Sequence, residues 1–292
     1  MFAQVIGILF PVFAIALVGF FIGRWLKPDF KPINRINMDV LIPALVFSSL
    51  AVMPIEMGQI PLLTASVVAV LLPGILMLPI CKIFNLNFKV WAPSNMFRNS
   101  GNLAIPLFTY TFGSTALAPA VLLFVISSCA HISIGIALLS DGNPIKKMAT
   151  MPVFLAALLA LILNLSGIGI WKPLYDATHL LGGASIPIML LSLGSQMCNI
   201  RLKGLKVGIM CTVLSFVTGA MAFTAIYLFI PLPTLHLQMM LLFTMLPPAV
   251  MNYMFAERFN IAPEKVASMV LFSNFFSFIT LPIVLVIALS LG

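Results

Sequence analysis

Residues 91–113 read WAPSNMFRNSGNLAIPLFTYTFG. The run is apolar at both ends, but its middle, Arg98-Asn99-Ser100-Gly101-Asn102, is too polar to face lipid. Gly101 and Pro106 weaken a helix on either side of that cluster, glycine through its backbone freedom and proline through its missing N–H. Counted from Val90, Gly101 lies about 16 Å along a helix, near the middle of a hydrocarbon core about 30 Å thick. Non-helical backbone at that depth is tolerated only where protein or a watery cavity covers it. The stretch therefore reads as a broken membrane helix that lines an internal site.

The rest of the chain supplies the membrane. Of 292 residues 62% are hydrophobic and 8% charged, with a mean hydropathy of +1.17. A soluble domain carries about 25% charged residues, so lipid is the solvent for most of this surface. Ten apolar segments can be marked, at about 4–24, 33–53, 60–82, 90–112, 115–139, 149–168, 178–198, 206–230, 236–257 and 263–290. They lack the alternating polarity of barrel strands. The N-terminal MFAQVIGILFPVF has no basic leader or small-residue cleavage site and reads as the first helix.

The loops carry the orientation signal. Thirteen of the 15 Lys and Arg fall after odd-numbered segments: Arg24, Lys27, Lys31 and Arg35, then Lys82 and Lys89, Lys146 and Lys147, Arg201, Lys203 and Lys206, and Arg258 and Lys265. The opposite loops hold only Lys172, and Arg98 lies within segment four. The positive-inside rule then places both termini outside the cytoplasm of a cell inner (cytoplasmic) membrane. The net charge of +8 is thus a topology signal. With no basic face interleaved with aromatics, nucleic acid is not an expected partner.

The two halves are related. A shift of 144 residues places Ile42-Pro43 on Ile186-Pro187, Ser48 on Ser192 and Ala118-Pro119 on Ala262-Pro263. Two five-helix units, 1–145 and 146–292, must insert with opposite orientation. The same shift takes Gly101 to Met245, within three residues of Pro247-Pro248 in segment nine, LQMMLLFTMLPPAVMNYMFAERF at 237–259. Adjacent prolines cannot sit inside an uninterrupted helix. Inverted repeats with paired broken helices are a transporter signature, their half-helix ends meeting at a midplane site. The expected substrate-binding set is Asn99, Ser100, Gly101, Asn102, Pro106, Pro247, Pro248, Asn252 and Tyr253.

Charges inside the spans are further candidates. Arg98 is read as a neutraliser of a substrate carboxylate or as a gating residue, against a side chain that reaches the headgroups. Asp39 is read as a coupling carboxylate or a partner of Arg98, against a simple pair with Arg35 one turn earlier. His131, beside Ser127, Ser128 and Ser133, is a proton-relay candidate against a hydrogen-bonded packing histidine. The four cysteines, Cys81, Cys129, Cys198 and Cys211, show no metal spacing and read as packing residues. No metal or other cofactor is expected. HExxH, GxSxG and paired intramembrane Asp are absent, so no enzyme chemistry is expected.

The run RNSGNLAIPLF at 98–108 resembles the fourth-helix crossover of the auxin efflux carrier family, with Ser100-Gly101 where plant members have a proline. HLQMMLLFTMLPPAVMNYMFAERFNIAPE at 236–264 is similar to the ninth-helix region of bacterial members, and IPIMLLSLGSQM at 186–197 extends the likeness. The resemblance implies an all-α fold like that of bile-acid symporters and sodium–proton antiporters, with ten transmembrane helices in two inverted repeats. It implies a scaffold of helices 1, 2, 6 and 7 and a transport domain of helices 3–5 and 8–10. A homodimer, where one forms, is expected through the scaffold. It also implies carriage of small organic anions, in the manner of malate and malonate permeases. Sodium-coupled anion symport and cation–proton antiport are the alternatives. The second needs a carboxylate at the crossover, where this sequence has only amides and hydroxyls.

Overall fold

The computed structural model describes residues 2–53, 60–139, 148–198 and 204–291. Lys146, Lys147, Arg201, Lys203 and the C-terminal Gly292, on which part of the orientation argument rests, lie outside the described residues. Those described form an all-helical protein without a named strand. The helices are α1 Phe2–Trp25, α2 Phe30–Leu50, α3 Ile60–Ile83, α4 Phe88–Met96, α5 Ile105–Phe112, α6 Leu117–Leu139, α7 Pro152–Leu165, α8 Lys172–Met197, α9 Leu205–Phe229, α10 Thr234–Thr244, α11 Met251–Arg258 and α12 Pro263–Leu289.

Among the described residues seven helical stretches are long and apolar enough to cross a membrane: α1, α2, α3, α6, α8, α9 and α12. Apolar side chains cover their outer faces; Phe10, Leu180 and Phe229 are each more than three-fifths exposed. The buried polar groups, Arg98, Asn99, Asn252 and Asn274 among them, lie inside. This distribution, with grease outside and amides inside, is what lipid as solvent demands.

Three expected segments differ in form from a continuous span. Segments four and nine are interrupted, as α4 with α5 and as α10 with α11. Segment six is short: α7 has 14 residues, about 21 Å. It stops because Gly167 turns the chain with φ 66°. Its last turn is tied to α2, since Asn164 Nδ2 donates to the carbonyls of Leu50 and Met53, both at 2.8 Å.

Two π-turns, Asn37–Leu41 in α2 and Ser100–Ala104 before α5, each run into an Ile-Pro pair, Ile42-Pro43 and Ile105-Pro106. A proline cannot donate to the carbonyl four residues back, and a locally widened turn accommodates the lost bond.

Packing divides by helix. α1 lies along α8, and α2 packs on α7 and α8. Backbones touch where α1 meets α8: a Cβ at Gly194 would collide with the Ala16 carbonyl, and one at Gly19 with the backbone of Leu191. Gly182 likewise admits Leu45 of α2. Small residues that permit such approach drive helix association in lipid. Elsewhere α3 packs on α4 and α9, and α9 packs on α12. The π-turn before α5 touches both α6 and α8, so it sits where the two groups of helices meet.

Candidate functional site

Asn87 opens α4, its side chain accepting the N–H of Lys89 at 3.0 Å. The helix ends after Met96, and Phe97 is extended at φ −98°, ψ 102°. In the second half α10 ends at Thr244, and α11 starts only at Met251. The two gaps cross. Asn99 N–H donates to the Pro247 carbonyl at 2.8 Å and Ala249 N–H to the Phe97 carbonyl at 2.8 Å, closing one antiparallel bridge of Arg98 with Pro248. Pro247 and Pro248 have no N–H, so the break there carries two fewer donors that would need a partner away from water.

Three asparagines tie the crossing together. Asn252 Nδ2 donates to the Phe97 carbonyl at 3.1 Å. Asn274 of α12 donates through Nδ2 to the Pro248 carbonyl at 3.0 Å and to the Val270 carbonyl at 2.8 Å. Its Oδ1 accepts Asn99 Nδ2 at 2.8 Å.

Arg98 is the largest charge here and is 1% exposed. Nη1 donates to the Leu246 carbonyl at 3.2 Å, just past the C-terminal end of α10. Nη2 donates to the Ser215 carbonyl at 2.9 Å and to Thr218 Oγ1 at 3.4 Å. Nε has no partner. The ion pairs among the described residues are Arg35–Asp39 and Lys172–Asp176, so no carboxylate answers Arg98. Gly219 makes room for this arrangement, since a Cβ there would meet the Thr244 carbonyl and lie 3.4 Å from Nη2.

The two ends of the half-helices are treated differently. Carbonyls at the C-terminal ends are met by the Arg98 guanidinium and by Asn252. Gly101, Asn102 and Leu103 stand in the opening turn ahead of α5, and the amides of a helix start lack intrahelical partners and lie at the positive end of the dipole. Asn102 beside them is half-buried, and its side chain makes no hydrogen bond among the described residues. Amides at the start of a helix are the donors that an anion uses.

Of the expected set, the structure brings Asn99, Ser100, Gly101, Asn102, Pro247, Pro248 and Asn252 to this crossing, with Pro106 buried in the first turn of α5. Gly101 faces the ring of Phe124, 3.0 Å from where its Cβ would stand. Tyr253 is turned away, its hydroxyl donating to Glu257 at 3.0 Å. Asp39 does not meet Arg98: it lies half-exposed, 3.5 Å from Arg35 Nε. Ser215, Thr218 and Asn274 were not singled out from the sequence. Asn274 had a visible signal, a lone amide deep in an apolar segment. Ser215 serves Arg98 through its backbone and leaves no sequence signal.

The family model described as a membrane transport protein matches residues 143–285, from ahead of α7 through most of α12, the second break included. No curated protein compared with the chain matches it. That family is one of transporters and not of enzymes. A match on the half that holds Pro247-Pro248, in an all-helical chain with a multi-pass pattern of apolar helices, places this protein in the auxin efflux carrier-type family of membrane transport proteins.

Proposed function

We propose that the protein is a secondary transporter that carries small mono- or dicarboxylates by alternating access, with the crossing of segments four and nine as its binding site. The single observation that carries this reading is Arg98: a fully buried guanidinium seated on the Leu246 carbonyl past the end of α10 and on the Ser215 carbonyl within α9, with no carboxylate partner among the described residues. A buried charge without a counter-ion is costly in lipid, and a substrate carboxylate at the adjacent free amides would lower that cost. Arg98 also takes the carbonyl positions that sodium or a second cation would need, which favours anion carriage over sodium-coupled symport and over cation–proton antiport.

The finer architecture is part of the same proposal: ten crossings in two inverted repeats, 1–145 and 146–292, with both termini outside the cytoplasm of the inner membrane. α1, α2, α7 and α8 act as scaffold. α3 to α6 and α9 to α12 act as the moving domain, and a second copy pairs through the scaffold. The packing of α1 on α8 and of α2 on α7 and α8 supports the division, as do breaks at equivalent places in the two halves. Asn102, at the boundary of the two groups, is the principal ligand contact. A malate- or malonate-type substrate follows from the bacterial resemblance of segment nine.

The test is counterflow in proteoliposomes loaded in turn with labelled malate, malonate and other small carboxylates. Saturable exchange of at least one is expected, without a sodium requirement. Exchange of none of them, or movement of alkali cations instead, would overturn the reading.

A further inference from the structure

A narrow cleft runs beside the crossing. It is lined by Lys89, Pro93 and Ser94 of α4, His131 of α6, and Asn252 and Ala256 of α11. Lys89 is exposed, whereas Ser94, His131 and Asn252 are each at least nine-tenths buried. All three nevertheless carry an atom without a hydrogen-bond partner: Ser94 Oγ, His131 Nε2 and Asn252 Oδ1. Buried polar atoms in native proteins are almost always satisfied, so three orphans lining one cleft point to an occupant.

Their chemistry restricts what it is. Asn252 Nδ2 is committed to the Phe97 carbonyl, which fixes the amide and leaves Oδ1 as a pure acceptor. An acceptor repels a carboxylate, so this is not a second anion site. The occupant must donate on at least one side. The space admits a water-sized guest and no organic one. The His131 ring is stacked on Phe97, the extended residue of the crossing, with centroids 4.0 Å apart and planes at 6°; Phe255 meets it edge-on at 5.0 Å.

We propose that the cleft is a proton-binding station that couples transport to protons. Hydronium reaches it past Lys89, the lone pair of His131 Nε2 forms the new N–H bond, and one water is released. Asn252 Oδ1 and the Ser94 hydroxyl accept that N–H, directly or through a single water. Histidine is the side chain whose ordinary titration falls near neutral pH, and His131 is the one fully buried histidine among the described residues. Among the described residues Lys89 is the only charged group lining the cleft. The other titratable groups on the packed elements do not line it: Lys31, Arg35 and Asp39 on α2, Cys81 and Lys82 on α3, Arg98 between α4 and α5, whose guanidinium is committed to the Leu246 and Ser215 carbonyls, Tyr110 on α5, Cys129 on α6 itself, Tyr253, Glu257 and Arg258 on α11, and Glu264 and Lys265 on α12. An imidazolium next to Phe97 and an anion two residues on, at Asn99, favour each other reciprocally. Proton and anion therefore move in the same direction. The coupling rests on the anion-carrier reading; the proton site does not.

Two measurements keep these apart. The first is labelled malate uptake into proteoliposomes with and without a one-unit pH gradient, acid outside. A single coupled proton gives about tenfold accumulation per unit. The ratio of the two uptakes is expected to rise accordingly in the natural protein and to fall to about one in His131→Gln. Malate uptake that ignores the gradient, or equal stimulation in His131→Gln, overturns the coupling and leaves the carrier reading standing. The second needs no substrate. In a His179→Gln/His236→Gln background, ¹⁵N-histidine spectra in nanodiscs report His131 alone. Its resonance is expected to titrate, and Ser94→Ala to lower the midpoint. A resonance unchanged between about pH 5 and pH 8, or a midpoint that Ser94→Ala does not move, overturns the site even where no malate is carried.

Discussion

Arg98 and Asp39 share a span-buried position in the sequence but not in the structure. Arg98 bridges α4 to the Leu246 and Ser215 carbonyls, while Asp39 sits with Arg35 on an exposed helix face. An exposed i,i+4 pair contributes about 0.3–0.5 kcal/mol, whereas each bond from a charged donor contributes about 1.5–3 kcal/mol. Arg98→Ala is therefore expected to abolish most uptake and lower thermal stability, and Asp39→Ala to stay close to the natural protein. The two effects should add in a double-mutant cycle on uptake rates; a coupling above about 0.5 kcal/mol would reveal the gate that these arrangements do not form here. Arg98→Lys keeps the charge but not the fork that reaches two carbonyls, and should recover only part of the function. Asn102→Ala removes an amide of the turn where the two helix groups meet, and a ten- to hundredfold loss of carboxylate affinity, roughly, is expected at unchanged expression. Natural affinity in that variant would exclude Asn102 as the ligand contact.

Among the elements, the half-helices are held by a bridge rather than by a loop. Pro247 and Pro248 accept from Asn99 and Asn274 and donate nothing. Replacing both by alanine adds two N–H groups where the partners are already assigned. Each unsatisfied donor costs about 1–3 kcal/mol, or the segment recloses into a continuous helix; both routes remove the crossing. Loss of uptake with normal membrane insertion is the expected outcome, read by counterflow and by monodispersity in detergent. The α1–α8 seam makes the opposite prediction. Gly194→Leu forces the Ala16 backbone away and should reduce folded yield, with no specific effect on affinity in whatever protein survives. A Gly194→Leu protein of natural yield would show that the seam is not close-packed.

At the scale of the whole molecule, the basic residues alternate between successive loops. The expected consequence is an active alkaline phosphatase fused after Gly292, since that enzyme folds only outside the cytoplasm. A fluorescent GFP fusion at the same position would remove both the orientation and the count of ten crossings on which it depends. The short α7 bears on the same count. Its 14 helical residues span less than a core about 30 Å thick, so its ends must be reached by a locally thinner bilayer or by the flanking chain. Cysteine accessibility at Ser166, at the end of α7, measures which side that end faces.

The apolar segments, the breaks and the polar core of segment four are legible in the order of the amino acids alone. Those are one-dimensional properties: lipid requires an unbroken apolar run, and glycine, proline and a cluster of amides interrupt it wherever they stand. The pairs one turn apart, Arg35 with Asp39 and Tyr253 with Glu257, were also within reach, because helix geometry alone brings them together. What the broken ends meet depends instead on packing between distant segments. Arg98 meets Ser215, 117 residues away, and Asn99 meets Asn274, 175 residues away. Contacts at that separation follow from which helices pack side by side, and in lipid that choice is made by shape, as at Gly19 and Gly194, with no periodic pattern to announce it. The same holds for Ser94, His131 and Asn252. Each is an ordinary polar residue in its own segment, and they line one cleft only because three helices pack side by side there.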